Sequence, residues 1–313
     1  MKTALITGVS GYLGSHVAKK LKTSGWNVIG LDIRHTDNRY IDKFYPCDVL
    51  NSIDLSIIFE SNDIDIVFHF AGLIDVHQST QIPIEYHKVN AGGTINVLNT
   101  MAYYGVNDIV YSSTAGLYKS KNEKLVECSE LEPMNNAYAG SKYSAELIIQ
   151  QSGLNYVIFR YFNLAGADPD GEFGENHETE THLIPKIFES LNKFRIYGAD
   201  YETSDGTCVR DFVHVSDVAD AHLSAAEYLA TKNESIILNL GTGKGHSVKE
   251  IVKLASRVMN EDLYPAIWPR RHGDPAYLVA DINLAETVLN YRPKHDILAI
   301  LESAYKWHKK HPK

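Results

Sequence analysis

Apolar residues gather in unbroken blocks along this chain: "TALIT" (3–7), "NVIGLD" (27–32), "DIVFHFA" (65–71), "DIVYSS" (108–113) and "NYVIFRYFN" (155–163). Blocks of this length, rich in β-branched residues and without polar alternation, predict strands buried on both faces. Between them, "LGSHVAKKLKTSG" and "GGTINVLNTMAYYG" carry apolar residues at helical spacing and end on glycine, as helix C-termini often do. Strands alternating with helices predict parallel strands joined by right-handed crossovers, hence an α/β fold with a doubly wound parallel sheet.

After Asn163 the pattern lapses. "LAGADPDGEFGENHETETH" is polar and rich in Gly and Asp, and predicts a loop leaving the sheet. A further strand, "IILNLGTG" (236–243), interrupts the C-terminal half. The expected organisation is a first domain over 1–163, rejoined by about 210–243, with a smaller mixed α/β lobe built from 164–209 and 244–313. The chain shows no internal repeats, low-complexity tracts or coiled-coil heptads.

Composition narrows the functional classes. At 313 residues the chain can bury a large core, and 44% hydrophobic with 22% charged residues is globular usage. A net charge of −9 argues against a general nucleic-acid binder, because phosphate backbones reward basic surfaces. The first apolar run breaks at once into Gly and Ser, too short for a secretion signal, and no run approaches a membrane span. Three widely spaced cysteines, Cys47, Cys128 and Cys208, suggest free thiols in a reducing cytoplasm. The 14 histidines form no metal-ligand spacing, so no metal is expected.

"TGVSGYLGSH" places Gly8, Gly11 and Gly14 between the first strand and the first helix. Glycines there let backbone approach a pyrophosphate, and the helix N-terminus offers free N–H groups. Asp32 ends the second strand, where its carboxylate can accept from both adenine-ribose hydroxyls and would repel a 2′-phosphate. The sheet thus reads as Rossmann-like, with NAD favoured over NADP, although Arg34 stands nearby. Asp48 and Val49, in "CDV", fall where a side chain could reach the adenine. Phe70, Ala71 and Gly72, in "HFAG", close a strand with small residues along which a cofactor could lie.

Three Tyr-x-x-x-Lys pairs occur, Tyr138/Lys142, Tyr228/Lys232 and Tyr305/Lys309, and the spacing alone describes a solvated helix face equally well. Tyr138 stands apart because it follows "YSSTAG" (111–116), a strand end facing the predicted cofactor crevice. Lys142 sits one turn later, and lowering a phenol from about 10 to about 7 takes roughly 4 kcal/mol of anion stabilisation. A lysine and an oxidised nicotinamide could supply it. A hydroxyl from Thr114, or from Ser112 or Ser113, would complete the contacts to a substrate oxygen. This is reversible alcohol–ketone chemistry.

Taken together, T-G-x-x-G-x-x-G, Asp32, Thr114 and Tyr138-x-x-x-Lys142 resemble the extended short-chain dehydrogenase/reductase superfamily. "HFAGL", "YSSTAGLY", "RYFNLAGA", "THLIP", "DGTCVRDFVHVSDVADAH" and "PRRHGDPAYLVAD" are similar to the UDP-glucose 4-epimerase family. The resemblance implies that Tyr138, assisted by Thr114, deprotonates the sugar 4-hydroxyl while Lys142 holds the nicotinamide ribose. NAD would take the C4 hydride and return it to the opposite face of a 4-keto sugar. Tyr12, Leu13, Asn90, Ser112 and Phe162 match family cofactor positions. Asn163, His182 and Leu183 match diphosphate-binding positions, as do Arg210 and Arg271, and Asp274 matches a contact to the uridine ribose. Phe194 to Tyr197, with Phe212, match the uracil-lining segment. Tyr277 resembles a position where small residues admit an N-acetyl group and tyrosine fills the space, "GDPAY" being one residue shorter than in some members. UDP-galactose and UDP-glucose are therefore the expected substrates, with poor use of N-acetylated sugars. The segment 34–46 is also shorter than in many members. A homodimer through helices of the first lobe is a further implication.

A nucleotide-sugar 4,6-dehydratase shares the first oxidation but carries Asp-Glu after the Ser/Thr, where this chain has Ala115-Gly116. Another nucleotide-sugar epimerase, a reductase releasing NADH, and a non-catalytic NAD-binding sensor are the remaining alternatives.

Overall fold

The computed structural model describes residues 1–177, 179–189, 194–271 and 273–312. In chain order the first elements are β1 (Thr3–Thr7), α1 (Tyr12–Thr23), β2 (Asn27–Asp32), β3 (Lys43–Pro46), α2 (Ser52–Glu60), β4 (Ile66–His69), α3 (Val76–Gln81) and α4 (Pro83–Tyr86). A π-helical turn, His87–Gly92, runs into α5 (Gly93–Tyr104), followed by β5 (Asp108–Thr114), α6 (Ala137–Gln151) and β6 (Asn155–Tyr161). Then come β7 (Asn163–Ala165), α7 (Leu183–Glu189), β8 (Arg195–Tyr197), β9 (Val209–His214), α8 (Val215–Lys232) and β10 (Ile236–Leu240). The chain closes with β11 (Gly245–Ser247), α9 (Val248–Met259), β12 (Ala266–Trp268), β13 (Tyr277–Leu278), α10 (Asn283–Leu289) and α11 (Ile297–Lys310).

Seven strands form one sheet in the order β10-β6-β5-β4-β1-β2-β3. The pairs β1–β2, β1–β4, β2–β3 and β4–β5 are all parallel, as the strand–helix alternation requires. All five residues of β1 are buried, which is why its sequence has no polar alternation. The order reverses direction at β1, so the carboxyl ends of β1 and β4 flank the crevice where doubly wound sheets bind ligands.

Two compact units divide the chain. One comprises Met1–Leu117, Leu131–Arg160 and Ala219–Leu238; the other Tyr118–Glu130, Tyr161–Val218 and Asn239–Lys313. The first buries Leu5, Ile29, Val67, Ile109 and Ile158 from the sheet against Leu55, Val97 and Met101 from α2 and α5. The second has its own core, in which Ile187, Ile251, Ile300 and Leu301 pack against Phe194 and Phe212. Its strands β11, β9 and β13 lie side by side, with β7 also paired to β9. No helix among the described residues is long and apolar enough to cross a membrane.

Candidate active site

In the first unit, Gly8 turns the chain out of β1 at φ +71°, a conformation open to glycine, and its N–H returns to Leu31 O at 2.9 Å. A Cβ on Gly14 would stand 2.3 Å from Gly8 O, so that turn and the start of α1 can close only without a side chain. Gly11 is the N-cap of α1 and provides no side-chain cap, which leaves the first-turn N–H groups available to an anion. Tyr12 and Leu13, in that first turn, are half-buried.

Asp32 is buried, and each of its oxygens takes one backbone N–H: Oδ2 from Ser10 at 3.0 Å, Oδ1 from Arg34 at 2.9 Å. A carboxylate has about four acceptor sites, so one on each oxygen is left for a ribose diol. The Arg34 guanidinium reaches only 3.8 Å from Asp32 and is largely exposed. An uncapped glycine-lined helix start beside a fixed carboxylate fits the pyrophosphate and adenine ribose of NAD. Asp48 is exposed, while Val49 is buried against Gly93, where a Cβ would come within 2.7 Å of it. Phe70, Ala71 and Gly72 are half-buried after β4. Asn90 is 2% exposed within the π turn, and its Oδ1 accepts from Leu73 N at 2.7 Å.

The catalytic candidates converge where β5 ends and α6 begins. Asn136 caps α6 by accepting from Ala139 N at 2.8 Å, which sets Tyr138 in the first turn and Lys142 one turn later. The Thr114 hydroxyl acts on Tyr138 in the direction of the ionised phenol, while its own Oγ1 accepts from Gly116 N at 3.0 Å. Strand alternation separates the three neighbouring hydroxyls. Ser112 and Thr114 share one face; Ser113 faces the other and donates to Glu146, a fully buried carboxylate held in two parallel bonds by Arg160 (3.0 and 2.7 Å).

The electrostatics differ from the expected lysine-lowered phenol. Burial raises Tyr138 above its ordinary value, and the Thr114 hydroxyl counteracts part of that rise. Lys142, itself buried, holds its ammonium 4.5 Å over the Tyr111 ring. Burial brings its pKa down to about 7, against an upward pull from Glu146. Desolvation thus acts on both groups in the direction of neutrality.

In the second unit Phe162 is buried and stacks with Tyr118, their centroids 6.4 Å apart. Register sorts the substrate candidates. Asn163 pairs with Phe212, and Leu278 pairs with Arg210, so Asn163, Phe212, Arg210 and Leu278 share one face of the β9 sheet. Tyr277 pairs with Val209 and belongs to the opposite face, beside Gly245, where a Cβ would lie 3.7 Å from its ring. Tyr277 was expected beside the sugar with Arg210; the register instead puts it on the face opposite Arg210 and puts Leu278 on the Arg210 face.

Arg210 is buried, ion-paired with Asp274, and donates to Val209 O at 2.9 Å, leaving the rest of its donor fork for an anion. The exposed Arg271 stacks its guanidinium 4.0 Å over the Tyr197 ring. Burial alone would raise the Tyr197 phenol, but hydrogen bonds with Arg271 and Arg195 bring it below its ordinary value. Phe194 is buried in the second core, and Leu183, at the start of α7, packs against it. His182 is exposed, its Nδ1 bonded to the buried carboxylate of Glu175. Glu175, His177, Glu180 and His182 bring one potential ligand atom each within 4.8 Å of one another. Imidazole–carboxylate bonds, such as His177 to Glu180 at 3.3 Å, account for that grouping.

Residues 4–241 match the NAD dependent epimerase/dehydratase family. The chain belongs to that family. It is 41% identical to the UDP-glucose 4-epimerase of Lactobacillus helveticus over 99% of this chain and 98% of that one. Among solved structures, the UDP-glucose-4-epimerase of Stenotrophomonas maltophila, with bound NAD and formylated UDP-arabinopyranose, superposes with a TM-score of 0.94 at 33% identity, covering 99% of both chains. The UDP-glucose 4-epimerase of Bifidobacterium longum, in complex with NAD+ and UDP, gives 0.93 at 32% identity, covering 99% of this chain and 98% of that one.

Motif reading within the family overlooks the Ser113–Glu146–Arg160 network and the place of Leu278. Glu146 falls at the lysine-plus-four position of α6, a legible helical spacing, but its partner Arg160 lies on β6 and becomes a neighbour only through the sheet. Leu278 is findable only from strand register.

Proposed function

We propose that this chain interconverts UDP-galactose and UDP-glucose by transient oxidation at the sugar C4, with NAD retained throughout. The observation that carries this reading is Tyr138 in the first turn of α6, one helical turn before a buried Lys142 and under the influence of Thr114 at the end of β5, on an epimerase fold. Gly8, Gly11, Tyr12, Leu13 and Gly14 would hold the pyrophosphate of NAD, and Asp32 its adenine ribose. Asp48, Val49, Phe70, Ala71, Gly72, Asn90, Ser112 and Phe162 are assigned to the remaining cofactor contacts. NAD, when bound, supplies the reversible hydride acceptor. Tyr138 takes the proton of the 4-hydroxyl and gives it back, and Thr114 steadies the phenolate. Lys142, when protonated, would place a positive charge beside the site, and the water-poor surroundings strengthen its effect.

We assign the nucleotide end of the UDP-sugar to the second unit. There Arg210 and Arg271, with Asn163, His182 and Leu183, would meet the diphosphate, Asp274 the ribose, and Phe194, Tyr197 and Phe212 the uracil. Arginine suits this task because its planar fork grips phosphate oxygens in pairs. Sugar choice is assigned to Leu278. Being smaller than tyrosine, it removes the basis for excluding N-acetylated sugars.

The free cysteines suit a reducing cytoplasm. A homodimer is supported by the apolar residues that α5 and α6 leave exposed, Ile95, Tyr103 and Leu147, the second of them 83% exposed. Replacing Tyr138 by Phe tests the chemical assignment: turnover falls by about 10²-fold or more while UDP-sugar binding persists. Full activity in that variant would end the reading.

A further inference from the structure

Beside the catalytic candidates of the first unit runs a series of buried polar side chains of which the proposed chemistry uses only Asn90. Thr7, His69, Thr94, Asn90 and Ser141 are each at most 2% exposed. Thr7 ends β1, directly before Gly8, and its Oγ1 accepts from Ala71 N at 3.1 Å. Thr7 Oγ1 lies 2.7 Å from His69 Nδ1, and His69 Nε2 lies 2.9 Å from Thr94 Oγ1. Thr94 donates to Asn90 O at 2.6 Å, Asn90 Nδ2 donates to Ser141 Oγ at 2.9 Å, and Ser141 donates to Tyr138 O at 2.8 Å.

The proton positions in this series are determined. A carbonyl only accepts, so the single hydroxyl proton of Thr94 is committed to Asn90 O. His69 Nε2 must then carry a proton and donate to Thr94. Burial holds the imidazole neutral, its pKa down at about 3 with Lys142 adding to the effect, so Nδ1 is bare and accepts from Thr7. Every bond then points the same way, from the glycine turn to the backbone of the tyrosine. Asn90 is the hub. It lies in the π turn, a form that recurs at functional sites, and its amide also closes on Leu73 O at 3.0 Å.

We propose that His69 is a positioning residue for the reaction: its neutral imidazole ties the end of β1 to the π turn, and through Asn90 and Ser141 fixes Tyr138 relative to the cofactor cradle. The proposal rests on the reading of Tyr138 as the base. An imidazole is needed because one ring must accept at one nitrogen and donate at the other across two strand-to-helix junctions. Misplacement of a reacting group by about 1 Å can cost roughly 100-fold in rate without changing affinity.

The test uses the full chain with its retained NAD. Thr94→Val removes the hydroxyl at nearly constant shape, Thr94→Ser keeps it, and His69→Phe keeps a ring while deleting both bonds. In the epimerisation of UDP-galactose, Thr94→Val and His69→Phe are expected to lower kcat by roughly 10- to 100-fold, with KM within about twofold. Thr94→Ser restores kcat to within about threefold of the parent chain, an estimate from the same positioning argument. Should His69→Phe not fold, the two Thr94 variants carry the test alone. The proposal is overturned if Thr94→Val keeps the parental kcat, or if Thr94→Ser loses as much as Thr94→Val. Both results presuppose an active parent chain. An inactive parent would instead remove the reading of Tyr138, so the two failures are told apart.

Discussion

Tyr138 and Lys142 show how burial bears on single residues. The chain's own groups leave the phenol raised and the ammonium lowered to about 7. Between about 7 and the ordinary 10.5 the unfolded chain holds a proton at Lys142 that the folded chain lacks. The stability contributed at this position therefore rises with pH across that window and is lowest below about 7. Lys142→Met is expected to abolish turnover yet raise Tm, on the order of 2–4 °C at pH 6 for about 1 kcal/mol, with less gain at pH 10. Thermal melts at the two pH values check this; a lower Tm at pH 6 would contradict it. Arg160 gives the opposite case. Arg160→Met would leave Glu146 buried without its partner and should cost about 3–5 kcal/mol, readable in denaturant unfolding.

At the level of elements, legibility followed periodicity. The β1 and β2 bounds coincide with the blocks at 3–7 and 27–32, because both faces of those strands are buried and their interiors, Ala4–Ile6 and Val28–Leu31, carry no polar side chain. The glycine turn and the position of Asp32 at the end of β2 were equally legible, since both depend on backbone and sequence position alone. β13 was not. Two residues long, it has no period of its own, and a family resemblance across a shortened segment pointed to Tyr277 where register gives Leu278 the Arg210 face. A one-residue slip exchanges the faces of a strand. Leu278→Tyr should therefore reduce the kcat/KM for UDP-N-acetylglucosamine relative to UDP-glucose by roughly 10-fold or more, while Tyr277→Ala leaves the ratio within about twofold. Steady-state kinetics with the two sugars decide between the positions. The π turn was illegible for another reason: His87–Gly92 reads as ordinary helix, and the contact it makes with α6 is a tertiary one.

For the whole molecule, the exposed apolar positions of α5 and α6 are the support for the homodimer proposed through the first unit. Tyr103→Glu should shift the protein from dimer to monomer in sedimentation, since a charge in the centre of an apolar contact is desolvated without a partner. A parent chain that sediments as a monomer would remove the dimer proposal and leave the chemistry untouched. That chemistry demands that reducing equivalents never leave the protein, because the hydride removed at C4 is the one returned. Incubating the purified chain with UDP-galactose and no added NAD tests this most directly. The account predicts UDP-glucose formation to equilibrium with no lasting rise in reduced-nicotinamide absorbance. Accumulation of free NADH, or of a 4-keto-6-deoxy sugar nucleotide, would contradict it.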